Sequence, residues 1–364
     1  MYDKNSRIKE LQCMCSNKGL DALLITDSLH NRYLAKENDS IEGVYIVYQD
    51  KAVFFTDFRY FADIKNKNPQ IEIIEYTQKY IEIAQWLKNR GIKRIGFESS
   101  RTSYSDFENW SQHFPHAMLV PCKRLVEELR MIKDENEIAS VKSSIKLLGN
   151  ILEDVPRLIT QNPHITEKEI ALEIDLTMRR FGADKTAFTT IVASGKRSAY
   201  PHAAPSSCPI QDGEILLVDA GAVMNGYNSD QTRTLVVGER RKNRVFDEIF
   251  NIVREAQEAA FSAIAPGVSS KEVDYKARQV IEKAGYGDYF GHGTGHGVGL
   301  EVHEAPSISG RTEPTTLAAG MIFTVEPAIY IPEKFGIRWE DMVLVTDTGY
   351  ELLTEISWNN IWVG

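Results

Sequence analysis

The sequence predicts an α/β N-terminal domain at residues 1–123, followed by an α+β domain at residues 124–364. In the first third of the chain, short apolar runs alternate with amphipathic stretches, a pattern typical of α/β layers. From about residue 124 onward, two helical segments precede a group of strands, and this arrangement occurs twice. The repetition indicates an internally duplicated architecture, although the two halves share no residue-level identity.

The elements of the first domain follow from apolar runs bounded by polar or turn-forming residues. Strands are expected at 22–26, 44–48, 52–55, 71–74 and 94–97, and helices at about 5–18, 79–90 and 103–113. Apolar residues three and four apart between Leu125 and Leu148 then predict helical structure. Asp134 lies within this stretch and is expected to cap the second of two helical segments.

In the second domain, the same order of helices followed by strands occurs twice. Helical segments at about 134–159 and 166–182 precede strands at about 189–193, 214–222 and 231–237. Helical segments at about 242–264 and 269–284 precede strands near 296–302, 321–331 and 339–346. This common order is the basis of the predicted duplication.

Composition and charge exclude several classes of protein. The 42 basic and 51 acidic residues give a formal net charge of −9, which argues against a nucleic-acid binder because such proteins normally carry a basic face. The four cysteines contain no CxxC pair, so neither a thiolate zinc site nor a disulfide framework is predicted. No apolar run approaches the roughly 18 residues that span a bilayer, and the first residues lack a secretory signal core. We therefore expect a cytoplasmic protein without a membrane segment.

Two aspartates flank a predicted β-hairpin. Asn225-Gly226 between two apolar runs is a strong signal for a two-residue turn. With this turn Asp219 faces Thr232, and Asp230 lies two residues from Thr232 on the same face of the sheet. The two carboxylates become diagonal neighbours with Cα atoms roughly 7–8 Å apart, a spacing from which they can share a cation. The alternative is that Asp219 only ends a strand and Asp230 only caps a turn.

Three of the eight histidines, His292, His296 and His303, lie in or beside a glycine-rich segment. Its five alternating glycines between residues 291 and 299 disfavour a helix, because each costs a helix interior about 1 kcal/mol relative to alanine. An extended or tightly turning backbone is predicted, in which glycine allows close approach to a bulky neighbour. A phosphate-binding loop is the main alternative, but GxGxxG, GxxxxGK[ST] and HExxH are all absent.

Two glutamates, Glu326 and Glu340, lie inside strand-like apolar runs. An ionised carboxylate among Val, Ile and Phe is costly to bury unless it is paired or bound to a metal. The alternative to a metal is a salt bridge with Arg338 or Arg233. His202 lies in a loop punctuated by glycine and proline, where binding groups often occur, so it is a candidate ligand-contacting residue; a plain surface histidine is the alternative.

Together these residues form a set rich in oxygen ligands and poor in nitrogen ligands. Four carboxylates suit two divalent cations that share bridging oxygens. Ligation by carboxylates and an imidazole admits Mn, Co, Fe or Zn and argues against a thiolate zinc site. Two metals about 3.5–4 Å apart can hold a bridging hydroxide and polarise a carbonyl.

These residues resemble the motifs of the pita-bread metallopeptidases, which include Xaa-Pro dipeptidase (prolidase), aminopeptidase P and methionine aminopeptidase. The resemblance covers nearly the whole chain, and the N-terminal α/β segment is similar to that of the proline-specific branch and of creatinase. It implies a pita-bread catalytic domain with an internal pseudo-twofold repeat. The metal ligands that it implies are Asp219, Asp230, His296, Glu326 and Glu340.

The resemblance also implies roles for residues around the metals. His303 is expected to stabilise the tetrahedral intermediate. Glu326 is our choice for the residue that shuttles the proton, because it is both a metal ligand and a carboxylate beside the hydroxide. His202 and His292 are expected to line the substrate pocket. His202 is also expected, together with His303, to hydrogen-bond the developing oxyanion and the proline side of the substrate. Arg338 is expected to neighbour Glu340. Trp339 is expected to face away from the metals because side chains alternate along a strand.

The activity implied is hydrolysis of an Xaa-Pro bond, at the N-terminus of a peptide or in a dipeptide, with two divalent ions, Mn²⁺ first among them. A strict dipeptidase must recognise the free carboxylate of proline. Ser307 lies where some dipeptidases place arginine, and Arg311 is the candidate substitute, so a broader Xaa-Pro peptidase is favoured. The alternative is a catalytically silent peptide-binding protein of the same fold. Relatives imply a homodimer.

Overall fold

The computed structural model of the protein describes residues 6–35, 41–49, 51–68, 71–238, 244–354 and 362–363. The chain separates into two compact units, Met1–Leu129 and Arg130–Gly364. The sequence-based division at residue 123 falls ahead of this one, just before a short helix at Leu125–Met131. In the part of the chain that is described, no helix has both the length and the apolar character needed to cross a membrane.

The N-terminal unit combines a six-stranded mixed sheet with helices. Its strands are β1 (Ala22–Ile25), β2 (Val44–Tyr48), β3 (Lys51–Thr56), β4 (Glu72–Glu75), β5 (Arg94–Glu98) and β6 (Met118–Cys122). Its helices are α1 (Ser6–Asn17), α2 (Ser28–Ala35), α3 (Phe58–Lys67), α4 (Lys79–Asn89), α5 (Tyr104–His113) and α6 (Leu125–Met131). The strand order is β4-β3-β2-β1-β5-β6. The predicted α/β architecture is confirmed.

The sequence pattern misses three elements of this unit, α2, α3 and β6, and the structure gives a physical reason for α2 and β6. Pro121 suggests a break, yet it lies in β6, which is an edge strand and therefore tolerates a residue without an N–H. Helix α2 buries His30, Asn31 and Arg32. Because these buried residues are polar, no apolar periodicity marks the helix.

The C-terminal unit contains the second group of elements. Its helices are α7 (Glu135–Glu153), α8 (Val155–Gln161), α9 (Glu167–Arg180), α10 (Arg244–Phe261) and α11 (Ser270–Lys283). Its strands are β7 (Lys185–Thr186), β8 (Ile191–Ser194), β9 (Ile215–Ala220), β10 (Ala222–Met224), β11 (Tyr227–Asn228), β12 (Gln231–Val237), β13 (Gly295–Gly297), β14 (Glu304–Ile308), β15 (Ile322–Val325), β16 (Ala328–Ile331), β17 (Phe335–Arg338), β18 (Asp341–Val345), β19 (Tyr350–Leu352) and β20 (Trp362–Val363). The sheets have the orders β11-β10-β7, β20-β12-β9-β8, β14-β13-β15-β18-β19 and β16-β17.

Two hydrophobic cores reflect the two halves of this unit. One core joins α7, α8 and α9 to the strands of the first half, and the other joins α10 and α11 chiefly to strands of the second half. Strand β9 lies between them, with Leu216 and Val218 in the first core and Ile215 and Leu217 in the second. Asp219 continues the alternation of Ile215 and Leu217, so its side chain leaves the strand on their face.

Proline and glycine divide several predicted elements. The helix predicted at 134–159 ends at Glu153, and α8 begins with Pro156 in its first turn. The strand predicted at 321–331 is split into β15 and β16 around Pro327, which has no N–H for a sheet ladder. The strand predicted at 296–302 is short because its register shifts after His296. A Cβ on Gly295 would lie 1.8 Å from the carbonyl oxygen of Thr324, so the bulky neighbour expected there is the adjacent strand.

Helix α7 begins at the cap that the sequence predicts. The Asp134 carboxylate accepts hydrogen bonds from the backbone N–H groups of Asn136 and Glu137, both at 3.0 Å. The Glu137 carboxylate accepts in return from the Asp134 N–H at 2.9 Å. This capping box satisfies backbone donors that would otherwise lack partners.

Replacing Asp134 by alanine should lower the free energy of unfolding by about 1 kcal/mol, because alanine cannot accept the two backbone hydrogen bonds. Urea denaturation followed by circular dichroism measures the change. Ser143→Ala is the matched control on the exposed face of the same helix, and it should change stability by less than about 0.5 kcal/mol. Equal stability of the two variants would contradict the capping role.

Candidate metal centre

The hairpin between the two aspartates has the predicted register. Strand β10 pairs with β11 around Asn225 and Gly226, whose φ angles are 50° and 73°. Asp219 is the pairing partner of Thr232. Asp230 precedes β12 and is 5% exposed. The prediction that these two aspartates share one region of the sheet is confirmed.

A cavity of about 930 Å³ in the C-terminal unit brings the predicted site residues together. The lining includes His202, Asp219, Asp230, His292, His296, His303, Glu326 and Glu340. The first three come from the first half of the unit and the other five from the second. Strand pairing and packing thus join residues that are far apart in sequence.

Three of these residues are close enough to bind one cation. One ligand atom each from Asp230, His296 and Glu340 lies within 4.8 Å of the other two. The His296 Nε2 atom is 3.6 Å from an oxygen of Asp230 and 3.3 Å from an oxygen of Glu326. The donor atoms therefore converge on one small volume.

The hydrogen bond made by His296 indicates what this volume can hold. Its Nδ1 atom lies 3.2 Å from the Gly297 carbonyl oxygen, which can only accept, so Nδ1 carries the proton. In the neutral ring, Nε2 then directs a lone pair at the carboxylate oxygens of Asp230 and Glu326. Two acceptors facing each other repel, and a cation between them removes the repulsion.

Two buried carboxylate oxygens point to the same conclusion. Asp219 Oδ1 and Glu340 Oε1 have no hydrogen-bond partner among the residues described. A buried acceptor without a partner costs about 1–3 kcal/mol, and more if it is charged. Divalent metal ions bind such oxygens, so the residues present fit a metal centre.

The second oxygen of Asp219 and the second oxygen of Glu340 are held by a short hydrogen-bond chain. Arg338 donates from Nη2 to Asp219 at 2.5 Å and from Nε to Thr232 at 2.9 Å. The Thr232 hydroxyl donates to Glu340 at 2.7 Å. Arg338 therefore reaches Glu340 through Thr232, and its direct ionic partner is Asp219.

The salt bridges considered as alternatives to a metal go elsewhere. Arg233 donates to Asp341 at 2.6 Å, and Arg338 is paired with Asp219. Within the described ranges neither arginine forms an ion pair with Glu326 or Glu340. Both glutamates are therefore left for another cation.

Burial and crowding shift the protonation of the carboxylates. Burial, followed by repulsion from neighbouring carboxylates, raises the pKa of Asp230 and of Glu340. Burial likewise raises the pKa of Glu326, although His292 and Arg338 oppose the shift. The cluster gains from holding protons or metal ions in place of uncompensated charge.

The imidazoles are kept neutral. Burial lowers the pKa of His296 and of His292. Desolvation and the nearby His296 and His202 lower the pKa of His303 to about 4. The ring of His303 lies 4.1 Å from that of His296, measured between centroids. At neutral pH these rings can ligate or donate hydrogen bonds without adding positive charge.

The sequence analysis missed Tyr330, which lines the cavity. Its hydroxyl accepts from Arg338 Nη1 at 2.7 Å and lies 3.2 Å from His292 Nε2. Strand pairing contains a signal for it: Arg338 pairs with Ala328, so Tyr330, two residues further, shares that face.

The structure also shows where Trp339 and Arg311 lie relative to the cavity. Trp339 packs against Phe250 and beneath the Arg233 guanidinium, away from the cavity lining, as alternation predicts. Arg311 is exposed and donates from Nη1 to the Gly291 carbonyl oxygen at 2.6 Å. It is not among the residues that line the cavity, but its partner Gly291 is, and Gly291 is the chain neighbour of His292. Arg311 therefore lies beside the cavity and not in its lining.

Comparisons with known proteins agree with this geometry. The sequence matches metallopeptidase family M24 over residues 139–347 and the creatinase/prolidase N-terminal domain over residues 7–132. A Pyrococcus furiosus protein named Xaa-Pro dipeptidase is 36% identical, with 96% of this chain and 97% of that protein covered. The chain belongs to metallopeptidase family M24.

Solved structures show the same fold over the whole chain. The Xaa-Pro dipeptidase from Bacillus anthracis superposes with a TM-score of 0.94 at 37% identity, covering 99% of this chain and 100% of that one. The X-Pro aminopeptidase from Thermotoga maritima gives 0.86 at 35% identity, with coverages of 95% and 98%. The predicted two-part architecture with a pita-bread second domain is confirmed.

Adding Mn²⁺ to chelator-treated protein should raise its melting temperature, and the rise should be larger near pH 8 than near pH 5.5. Carboxyl groups with raised pKa values stabilise the metal-free fold below their ordinary pKa, and this stability is lost as pH rises through the folded-state pKa. A cation replaces the lost protons, and it should add about 5 °C at saturation.

Differential scanning fluorimetry with and without Mn²⁺ measures both effects. Asp230→Asn removes one candidate ligand and should abolish most of the rise. An equal rise at both pH values, or a full rise in the variant, would argue against a carboxylate metal centre.

Proposed function

We propose that this member of metallopeptidase family M24 hydrolyses Xaa-Pro bonds, using two divalent ions held by Asp219, Asp230, His296, Glu326 and Glu340. The observation that carries the proposal is the position of His296 Nε2, which faces two carboxylates beside two further buried oxygens that have no hydrogen-bond partner among the described residues. The names of the similar proteins, Xaa-Pro dipeptidase and X-Pro aminopeptidase, support proline as the recognised residue. Mn²⁺ is the expected ion.

Bound divalent ions supply a nucleophilic water at neutral pH and polarise the scissile carbonyl. The residues around them have separate tasks. Glu326 has a raised pKa, so its carboxyl can take a proton and pass it to the leaving nitrogen. Neutral His303, at the cavity wall, can donate a hydrogen bond to the oxygen on which negative charge develops.

His202 and His292 are proposed to contact the substrate. His292 donates from Nδ1 to the Gly293 carbonyl at 2.7 Å, which leaves Nε2 to accept from the Tyr330 hydroxyl. That network holds the His292 ring at the cavity wall. Phe188, Ile191 and Pro205 add apolar lining, against which a proline ring can pack.

The charged residues that line the cavity favour a peptide substrate longer than a dipeptide. Among the described residues that line it, Arg338 is the only arginine or lysine, and Asp219, Thr232 and Tyr330 occupy its guanidinium. A free C-terminal carboxylate therefore finds no uncommitted arginine or lysine among these lining residues. The broader Xaa-Pro aminopeptidase activity is accordingly favoured over a strict dipeptidase with Arg311 as its clamp.

A catalytically silent peptide-binding protein is the second candidate. The set of candidate ligands, with buried oxygens that lack partners, supports catalysis instead, because a binding protein has no need of them. A homodimer and a cytoplasmic location stay predictions from the family resemblance. Light scattering and cell fractionation measure them.

Glu340→Gln should lower turnover by roughly 10²- to 10³-fold, since a metal ligand contributes several kcal/mol of transition-state stabilisation. Hydrolysis of Ala-Pro and Ala-Pro-Ala with Mn²⁺ measures it. The variant should retain the circular dichroism spectrum of the wild type. Exposed Glu313→Gln is the control and should keep full activity; full activity in Glu340→Gln would exclude the proposed ligand role.

Cleavage of Xaa-Pro-Yaa should exceed cleavage of Xaa-Pro by about tenfold or more in kcat/KM, because the described lining of the cavity offers the dipeptide carboxylate no uncommitted arginine or lysine. Arg311→Ala should leave the tripeptide rate within about twofold. Chelated enzyme is the blank for both substrates. A dipeptide preference that Arg311→Ala abolishes would identify Arg311 as a carboxylate clamp and this protein as a prolidase.

A further inference from the structure

The loop at residues 195–206 carries His202 between β8 and β9. The His202 imidazole lines the cavity and is exposed to it. No hydrogen bond joins this ring to any residue in the described ranges of the C-terminal unit. Its position therefore depends on the backbone of the loop rather than on contacts of the ring itself.

One buried carboxylate closes the base of this loop. Glu167, the first residue of α9, has no exposed surface. Its Oε1 atom accepts from the Ser194 N–H at 2.7 Å and from the Ser194 hydroxyl at 2.9 Å. Its Oε2 atom accepts from the Ser206 N–H at 2.8 Å. The two ends of the loop are thus held by the two oxygens of one side chain.

Arg197 extends this closure across the loop. Its Nε donates to Glu167 Oε2 at 3.0 Å, and its Nη2 donates to the Ala204 carbonyl oxygen. The hydrogen bonds from Ser206 and Ser194 outweigh the effect of burial and lower the pKa of Glu167. Glu167 is therefore an ionised acceptor at neutral pH, which strengthens each bond it receives.

The opposite side of the loop contacts the metal-site strands. Ser198 Oγ accepts from the Gly336 N–H at 2.9 Å, and Arg338 Nη1 lies 3.5 Å from the Pro201 carbonyl oxygen. The loop is thus fastened at its base by Glu167 and braced near His202 by β17. Releasing the base removes one of these two constraints.

We infer that Glu167 is a positioning residue for His202: its buried carboxylate closes the His202 loop and holds that imidazole at the substrate cavity. The inference rests on the proposed function for the role of His202 in hydrolysis. It assigns no contact with substrate to Glu167. A supporting residue of this kind typically changes activity by about 10- to 100-fold when replaced.

A double-mutant cycle with Glu167→Gln and His202→Ala tests the inference. Glutamine keeps the size of the side chain but presents an NH₂ group to one loop end, where an N–H donor already points. Each single variant should lower kcat/KM for Ala-Pro-Ala by about 10- to 100-fold. The double variant should be no worse than His202→Ala alone, because Glu167 acts through that ring.

Glu169→Gln is the matched control. This glutamate lies on the same helix turn, is exposed, and bonds only within its helix cap to Thr166. It should leave kcat/KM unchanged. If Glu167→Gln does not fold, Arg197→Ala replaces it in the cycle, since the arginine is a third exposed and its loss leaves the two serine contacts in place.

Hydrogen exchange on the metal-free protein provides a readout that does not depend on catalysis. Amides of residues 194–206 should exchange faster in Glu167→Gln and at the wild-type rate in Glu169→Gln. Wild-type exchange in Glu167→Gln, or losses in kcat/KM that multiply in the double variant, would overturn the inference. Absence of Xaa-Pro hydrolysis in the wild type would instead overturn the proposed function, and the exchange comparison would still decide the loop role.

Discussion

The mutual repulsion of four buried carboxylates is the constraint on which the C-terminal unit depends. The four carboxylates approach one cavity, Asp219 from a strand and Asp230, Glu326 and Glu340 from positions next to strands. The fold keeps them there although burial disfavours charged carboxylates. One arginine, Arg338, offsets part of this charge. The rest calls for protons or cations, which is why the site suits divalent metal ions.

The surrounding hydrogen bonds orient the carboxylates for binding a cation. Arg338 donates to Asp219, and Thr232 accepts from Arg338 and donates to Glu340. Each of these two carboxylates is thus oriented through one oxygen, while its other oxygen has no partner among the residues described. Beside them, Gln257 and Arg233 hold Asp341, the residue next to Glu340. These contacts hold the residue beside Glu340 and leave Glu340 Oε1 without a partner among the described residues.

Strands and loops position different residues of the site. The carboxylates lie on or beside paired strands, whereas the catalytic histidines proposed here lie on loops that need separate anchors. Buried carboxylates outside the cavity supply them: Glu167 at the His202 loop, Asp274 at Thr294 and Gly310, and Glu304, beside His303, through Lys133 and Arg130. A buried carboxylate is effective in this position because, when ionised, it can accept several hydrogen bonds at once.

The sequence by itself determined the two-part architecture, the Asp134 helix cap and the hairpin register of Asp219 with Thr232. These features depend on local spacing and turn chemistry, which are visible along the chain. The resemblance of its motifs to the pita-bread metallopeptidases indicated the metal ligands and the histidines that line the cavity. Only the tertiary structure decided that Arg338 pairs with Asp219, that Tyr330 joins the site and that Arg311 bonds the Gly291 carbonyl oxygen beside the cavity. Which partner a long side chain reaches depends on strand pairing and packing between distant segments, and residue order does not specify that distance.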